Sequence, residues 1–195
     1  MTVSRRSGRV SDEYIEAVAD VMVKANWHTY QVLTKRSKRM AELLSTKLKT
    51  AAEAHHIWWG VSVEDKKYGI PRITELRRSP ATVRCLSIEP LLEDLGTINL
   101  DGVHWAIVGG ESGCGARPIR REWVISIREQ CAHSRVPFFF KQWGAYNKKR
   151  AGRELDGMTF DEFPRHLVPG STLPPPCRHS LDRFSPLINE QGEKE

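Results

Sequence analysis

Short apolar runs that alternate with amphipathic helical patterns are the feature that most constrains the fold of this chain. Five such runs, rich in β-branched and aromatic residues, begin at intervals of 21 to 32 residues, and each has the length of a strand. Strands that alternate with helices at this spacing indicate parallel βαβ units with right-handed crossovers. We therefore predict an α/β domain of about five parallel strands, either an open sheet or part of a (β/α) barrel. The predicted strands are residues 29–33, 57–62, 83–88, 104–108 and 136–140.

Apolar residues at helical spacing predict four helices around these strands. Ser11 can cap the first helix, and the apolar stripe that begins at Ile15 carries it to about residue 25. Residues 91–103, which contain two glycines and several polar residues, are predicted to be a loop. The other three helices are predicted at residues 37–48, 71–78 and 121–133.

Length and composition favour one domain in a reducing compartment. The 195 residues suffice for a single core, and no stretch approaches the roughly 18 apolar residues that a membrane helix needs, so we expect no membrane partner. The four cysteines lie too far apart in sequence for a zinc or iron–sulfur motif. We expect a cytoplasmic protein without a metal site, in which Cys85 and Cys131 are buried. The predicted organisation is a basic start at 1–9, a domain at 10–165 and a poorly ordered, Pro-rich and charged tail at 166–195.

Ligand sites in parallel α/β folds lie at the carboxyl ends of the strands, and here every strand end is polar. The five ends would bring several carboxylates, several cations and a tryptophan to one edge, which predicts a functional cleft. Its candidate residues are Thr34, Lys35, Arg36, Ser62, Glu64, Asp65, Ser87, Glu89, Gly109, Gly110, Glu111, Ser112, Arg117, Lys141, Gln142 and Trp143.

Two parts of this cleft have more than one interpretation. Its charged residues can also form a structural ion network. The loop Gly109–Gly115 can present backbone N–H groups to an anion, with Arg117 as a second anion ligand, or it can be a tight turn that an Arg117–Glu111 pair holds together. The loop matches neither the P-loop nor the dinucleotide-binding pattern, so both interpretations stay open.

Five segments resemble, in order, a bacteriophage protein family of unknown function that is known for a three-cysteine, radical-SAM-like motif. Two further segments, Leu155–Gly157 and Phe160–Pro164, resemble the C-terminal end of that family, so the resemblance covers about residues 10–165. The five segments are Tyr30–Arg36, Gly60–Asp65, Leu86–Leu91, Ile107–Gly113 with Ala116–Pro118, and Phe138–Gly144.

The resemblance implies a partial (β/α) barrel related to radical-SAM enzymes, with S-adenosylmethionine and an iron–sulfur cluster held by cysteines after the first strand. The family pattern begins with a strand, the cysteine loop, a helix and a second strand ahead of the helix predicted at residue 11. Only Met1–Arg9 precede that helix here. We therefore expect the C-terminal part of such a barrel, lacking the first strands and holding no cofactor by itself, from a phage or prophage gene.

Three functions are compatible with these residues. In the first, the full-length protein modifies a substrate by radical chemistry, and the partner of this chain is its missing N-terminal half or a neighbouring phage-encoded protein. In the second, the chain is a non-catalytic remnant that binds nucleic acid or protein, which a formal charge of +6 favours together with Arg5, Arg6, Arg9 and the run Lys148–Arg150. In the third, Glu111 and Glu89 serve a hydrolase that needs no cluster.

Overall fold

Strands and helices alternate along the chain as the apolar pattern predicts. The computed structural model describes residues 10–146 and 151–164. The helices of this part are α1 (Asp12–Lys24), α2 (Ser37–Ser45), α3 (Lys49–Glu53), α4 (Gly69–Arg78) and α5 (Arg121–His133). The strands are β1 (Tyr30–Thr34), β2 (Ile57–Ser62), β3 (Val83–Ile88), β4 (Trp105–Gly109) and β5 (Phe138–Gln142).

All five strands belong to one parallel sheet, in the order β1-β2-β3-β4-β5. Ser62 pairs with Ser87, and Ile88 pairs with Val108, so neighbouring strands end at the same edge. Right-handed crossovers between strands that follow one another in this order all lie on the same face of a sheet. The described strands therefore lack the reversal of order that marks a doubly wound sheet.

The two faces of the sheet are packed differently. Alternate strand residues such as Trp59 and Val61 belong to the main core, together with helix residues such as Leu44 and Leu76. The opposite face carries a smaller cluster of strand side chains, and no helix residue belongs to it. We call this second face the open face. Both faces bury strand tryptophans, since Trp58, Trp59 and Trp105 are each at most 3% exposed.

The predicted second helix, 37–48, is wrong as a single element. The structure has two helices, α2 and α3, with Thr46 between them at φ −121° and ψ −83°. The hydroxyl groups of Ser45 and Thr46 donate to the carbonyl oxygens of Ala41 and Glu42 at 2.8 and 2.7 Å. Such bonds compete with the helical ladder for backbone acceptors, and α2 ends there.

The predicted fifth strand begins two residues too early. Pro137 has no N–H to donate to a ladder, and its carbonyl oxygen only accepts from the N–H of Ala106 at 3.0 Å. Strand β5 therefore runs from Phe138 to Gln142. Lys141 and Gln142, which the sequence places just after the strand, are its last two residues.

Residues 158–163 run beside β5 and cover its outer edge. The N–H of Phe140 donates to the carbonyl oxygen of Phe160 at 2.9 Å, and the N–H of Glu162 donates to that of Phe138 at 3.2 Å. The Phe163 ring then packs on Trp105 with ring centroids 4.7 Å apart. At the other end of the described sheet, β1 pairs with β2 alone.

No helix in residues 10–146 or 151–164 is long and apolar enough to cross a membrane. The predicted start at 1–9, the charge run at 148–150 and the tail at 166–195 lie outside the described residues.

Candidate functional site

The carboxyl edge of the sheet holds the predicted cleft residues, but they form three separate clusters. The first cluster lies after β1 and β2, the second joins the residue after β3 to the end of β5, and the third is an ion pair within the loop after β4. The clusters differ in how much of their charge is engaged within the protein.

Glu64 is the centre of the first cluster. Its side chain is only 8% exposed, and it forms ion pairs with Lys35 and with Arg72, the latter at 2.6 Å. Arg72 also donates to the backbone oxygen of Ser62 at 2.7 Å. Burial alone would raise the pKa of Glu64, but hydrogen bonds from Lys35 and Arg72 outweigh burial, and the pKa lies below its ordinary value. Glu64 is therefore a charged structural anchor between β2 and α4.

The second cluster links Glu89, the residue after β3, to the last two residues of β5. Lys141 lies 2.9 Å from one oxygen of Glu89, and the amide of Gln142 donates to the other oxygen at 3.3 Å. The same amide lies 2.6 Å from the hydroxyl of Ser112. The Glu89 side chain is 19% exposed and that of Lys141 is 51% exposed. Lys141 is therefore open to solvent, whereas Glu89 is half-buried.

The third cluster is the Arg117–Glu111 ion pair of the glycine-rich loop. Arg117 donates to both carboxylate oxygens of Glu111 at 2.8 Å, and its backbone N–H donates to the same group at 2.9 Å. These hydrogen bonds lower the pKa of Glu111 to about 2. The pair holds the loop together, as the structural interpretation requires. A carboxyl group with so low a pKa stays ionised near neutral pH, where it can accept a proton but not donate one.

Two glycines let the loops after β4 and β5 pack against each other. An added Cβ at Gly110 would collide with the carbonyl oxygen of Trp143, and one at Gly144 would collide with that of Glu111. The backbones also bond directly, since the N–H of Ala145 donates to the oxygen of Glu111 at 2.8 Å. These glycines serve the contact between loops.

Several predicted site residues have local partners. The hydroxyl of Thr34 accepts from the N–H of Arg36 at 3.0 Å, and Asp65 accepts from the N–H of Tyr68 at 2.6 Å. The indole N–H of Trp143 donates to the carbonyl oxygen of Glu154 at 2.8 Å. Thr34, Asp65 and Trp143 therefore support their own loops.

A cavity of about 370 Å³ opens on the open face below the Glu89–Lys141 pair. Its walls include small residues of the central strands, Gly60 and Cys85, with the predicted candidate Ser87 and the aromatic ring of Phe139. Sequence reasoning missed Gly60, Cys85 and Phe139. The signal was available, because alternate strand residues share a face and small residues at such positions leave space. Gly109 also lies beside this site, because a Cβ added to it would be 3.4 Å from the carboxyl carbon of Glu89.

Arg72 is also missing from the predicted site. It belongs to α4, whereas the predicted site residues lie at strand ends and in the loops that follow them. No local pattern marks an arginine that reaches back to the preceding strand end, so only the tertiary structure identifies it.

The described cysteines do not fit an iron–sulfur cluster. Cys85 is buried on the open face and Cys131 in the main core, while Cys114 is exposed in the glycine-rich loop. Three cluster ligands must converge as thiolates, but burial raises the pKa of both Cys85 and Cys131 to about 12. No group of three or more His, Cys, Asp or Glu side chains in the described ranges is arranged to hold a metal ion.

Native alkylation with iodoacetamide near neutral pH is expected to modify Cys114 and to spare Cys85 and Cys131. Thiolate formation controls the reaction, and both protected thiols are buried. Peptide mass spectrometry before and after denaturation measures the difference, and the denatured protein serves as the control. Fast native modification of Cys131 would contradict the packing described above.

The fold and site together define a parallel α/β protein with a polar site at the carboxyl edge of its sheet. A family model described as a protein of unknown function, DUF5131, matches residues 6–164. The chain belongs to this family. No curated protein and no solved structure matches it.

Proposed function

We propose that this chain is the ligand-binding portion of a radical-SAM-like (β/α) barrel of phage or prophage origin. Three features support a barrel segment: the strands follow chain order, the helix residues share one core, and β1 has no second partner among the described strands. In such barrels ligands bind at the carboxyl ends of the strands. A further polypeptide segment, such as one from a neighbouring phage-encoded protein, would then supply the remaining strands.

The single observation that carries ligand binding is the Glu89–Lys141 pair, which is partly exposed and lines the cavity. Glu89 offers a carboxylate to an amino group, and Lys141 offers an ammonium group to a carboxylate. A ligand with an amino-acid end, such as S-adenosylmethionine, matches both. Because the described cysteines do not fit a cluster, we assign no radical step to the described residues, and the proposal for them is confined to binding.

Isothermal titration calorimetry with S-adenosylmethionine tests the proposal. We expect saturable binding, and we expect Glu89→Gln and Lys141→Ala each to weaken it about tenfold, because each removes one charge-assisted contact worth about 1.5 kcal/mol. Lys24→Ala is the matched control, since Lys24 is an exposed lysine in the last turn of α1.

Absence of binding at millimolar S-adenosylmethionine would overturn the assignment. Equal affinity of the wild type and both cluster variants would also overturn it, because binding would then lie elsewhere. Adenosine and methionine, titrated separately, report which end of the ligand the site recognises.

A further inference from the structure

A basic groove of about 660 Å³ lies between α2 and the start of α4. Six cations contribute to its lining, and Glu75 is the acid among the lining residues. Its volume falls within the roughly 300–1,000 Å³ typical of ligand sites and exceeds what one phosphate group needs. The six cations are Lys35, Arg36, Lys38, Arg39, Lys67 and Arg72.

Half of these cations are engaged within the protein. Lys35 and Arg72 form ion pairs with Glu64, and Arg39 forms one with Asp12. The other three, Arg36, Lys38 and Lys67, form no ion pair with an acid of the described residues. Setting Glu75, Glu64 and Asp12 against the six cations leaves a surplus of three positive charges. A concave surface with such a surplus concentrates anions.

The groove also carries an exposed aromatic ring. Tyr68 is 57% exposed, and the ammonium group of Lys67 lies 5.0 Å from the centre of its ring. Cations that follow a groove, together with an aromatic ring on its wall, are the features with which proteins bind single-stranded nucleic acid. Phosphates contact the cations, and a base stacks on the ring.

We propose that this groove binds single-stranded nucleic acid, with its phosphates on Arg36, Lys38 and Lys67 and a base on Tyr68. The groove shares no lining residue with the cavity below Glu89. Binding there is therefore independent of binding at the Glu89–Lys141 pair, and either proposal can fail alone. The sequence placed a basic surface at Arg5–Arg9 and Lys148–Arg150, outside the described residues, whereas this groove is formed by α2 and α4.

Fluorescence anisotropy with a labelled 12-nucleotide single strand, as RNA and as DNA, tests the proposal. Three phosphate contacts predict a slope of about −2 for log K against log salt, or about 20-fold weaker binding at 200 mM than at 50 mM salt. Lys38→Ala/Lys67→Ala is expected to reduce this slope by about 1.4. Tyr68→Leu is expected to weaken binding about fivefold or more without changing the slope.

Lys24→Ala/Lys49→Ala is the matched control, since it removes the same total charge from exposed positions outside the groove lining. Circular dichroism establishes that all variants are folded. Equal loss of affinity in both double variants would overturn the proposal, because net charge alone would then explain binding.

Three further outcomes would also overturn the proposal. The first is that the wild type does not bind at 50 mM salt, and the second is that it binds duplex as tightly as single strands and Tyr68→Leu has no effect. The third is that the protein sediments with phosphatidylserine vesicles but does not bind the oligonucleotide. The last outcome would assign the groove to a membrane surface.

Discussion

Gly144→Ala is expected to lower the free energy of unfolding by about 3–5 kcal/mol, which for a chain of this size lowers the Tm by about 8–15 °C. Gly144 has φ +83°, a conformation that costs an L side chain about 1–2 kcal/mol. In addition, its Cβ would lie 2.7 Å from the carbonyl carbon of Gly110 and closer still to the oxygen of Glu111. Those atoms are backbone and cannot rotate away. Thermal unfolding followed by circular dichroism measures the change.

Gly115→Ala is the matched control for this substitution. Gly115 has a similar φ of +77°, but nothing lies within 4 Å of its added Cβ. It therefore bears the conformational cost without the collision, and we expect a loss of about 1 kcal/mol. If both variants lost the same stability, close packing of the two loops would not be the reason why residue 144 is glycine.

Glu64→Gln is expected to lower the free energy of unfolding by about 2–3 kcal/mol near neutral pH. Removing one member of a buried ion pair leaves the other charge uncompensated, and Arg72 is the more buried of the two partners, at 16% side-chain exposure. The folded pKa of Glu64 lies below its ordinary value of 4.5. Its contribution is therefore complete above that value and is lost as the pH falls through the folded pKa. The Tm difference from wild type should be constant near neutral pH and shrink below about pH 4.5.

Glu111→Gln is the control for an ion pair outside the Glu64 cluster. The pKa of Glu111 is lowered to about 2, so any stability difference that this variant shows should be constant above the ordinary value of 4.5 and shrink as the pH falls from there to about 2. We also expect it to be small, because this pair lies in a solvent-exposed loop. Equal Tm values of wild type and Glu64→Gln near neutral pH would show that the Glu64 cluster does not hold α4 to the sheet.

The strands could be predicted from sequence where local chemistry agrees with tertiary packing. β2 and β3 are nearly continuous apolar runs, as expected for strands buried on both faces, and the predicted bounds, 57–62 and 83–88, are those of the structure. The bounds of α5 are also confirmed, and the loop predicted at 91–103 has no helix or strand. Backbone chemistry at Pro137 and at Thr46 overrode the apolar pattern. The effect at Thr46 depends on which acceptor its hydroxyl finds in three dimensions, whereas the missing N–H of Pro137 follows from the residue type alone.

The site could be predicted only as far as the edge of the sheet. Parallel strands make it certain that residues following them share an edge, but the choice of partners is tertiary. Glu64 pairs with Arg72 of α4, whereas Glu89 reaches across to Lys141 of β5. The sequence offered one cleft with a shared charge network. The structure divides it into a buried anchor at Glu64, a pair formed by Glu89 and Lys141, and an ion pair within the loop after β4, which Ser112 links to Gln142.

The hydrogen bond between Trp105 and Glu162 can form only late in the synthesis of the chain. Each strand pairs with the one translated just before it, so the sheet can extend as the ribosome delivers the polypeptide. The indole N–H of Trp105, in contrast, donates to the carbonyl oxygen of Glu162, 57 residues later, at 2.7 Å. Until Glu162 leaves the exit tunnel, the aromatic cluster on the open face of the nascent chain lacks its cover, and the last strand lacks its flanking segment. The nascent protein therefore keeps this cluster open to wrong association until Phe163 is released.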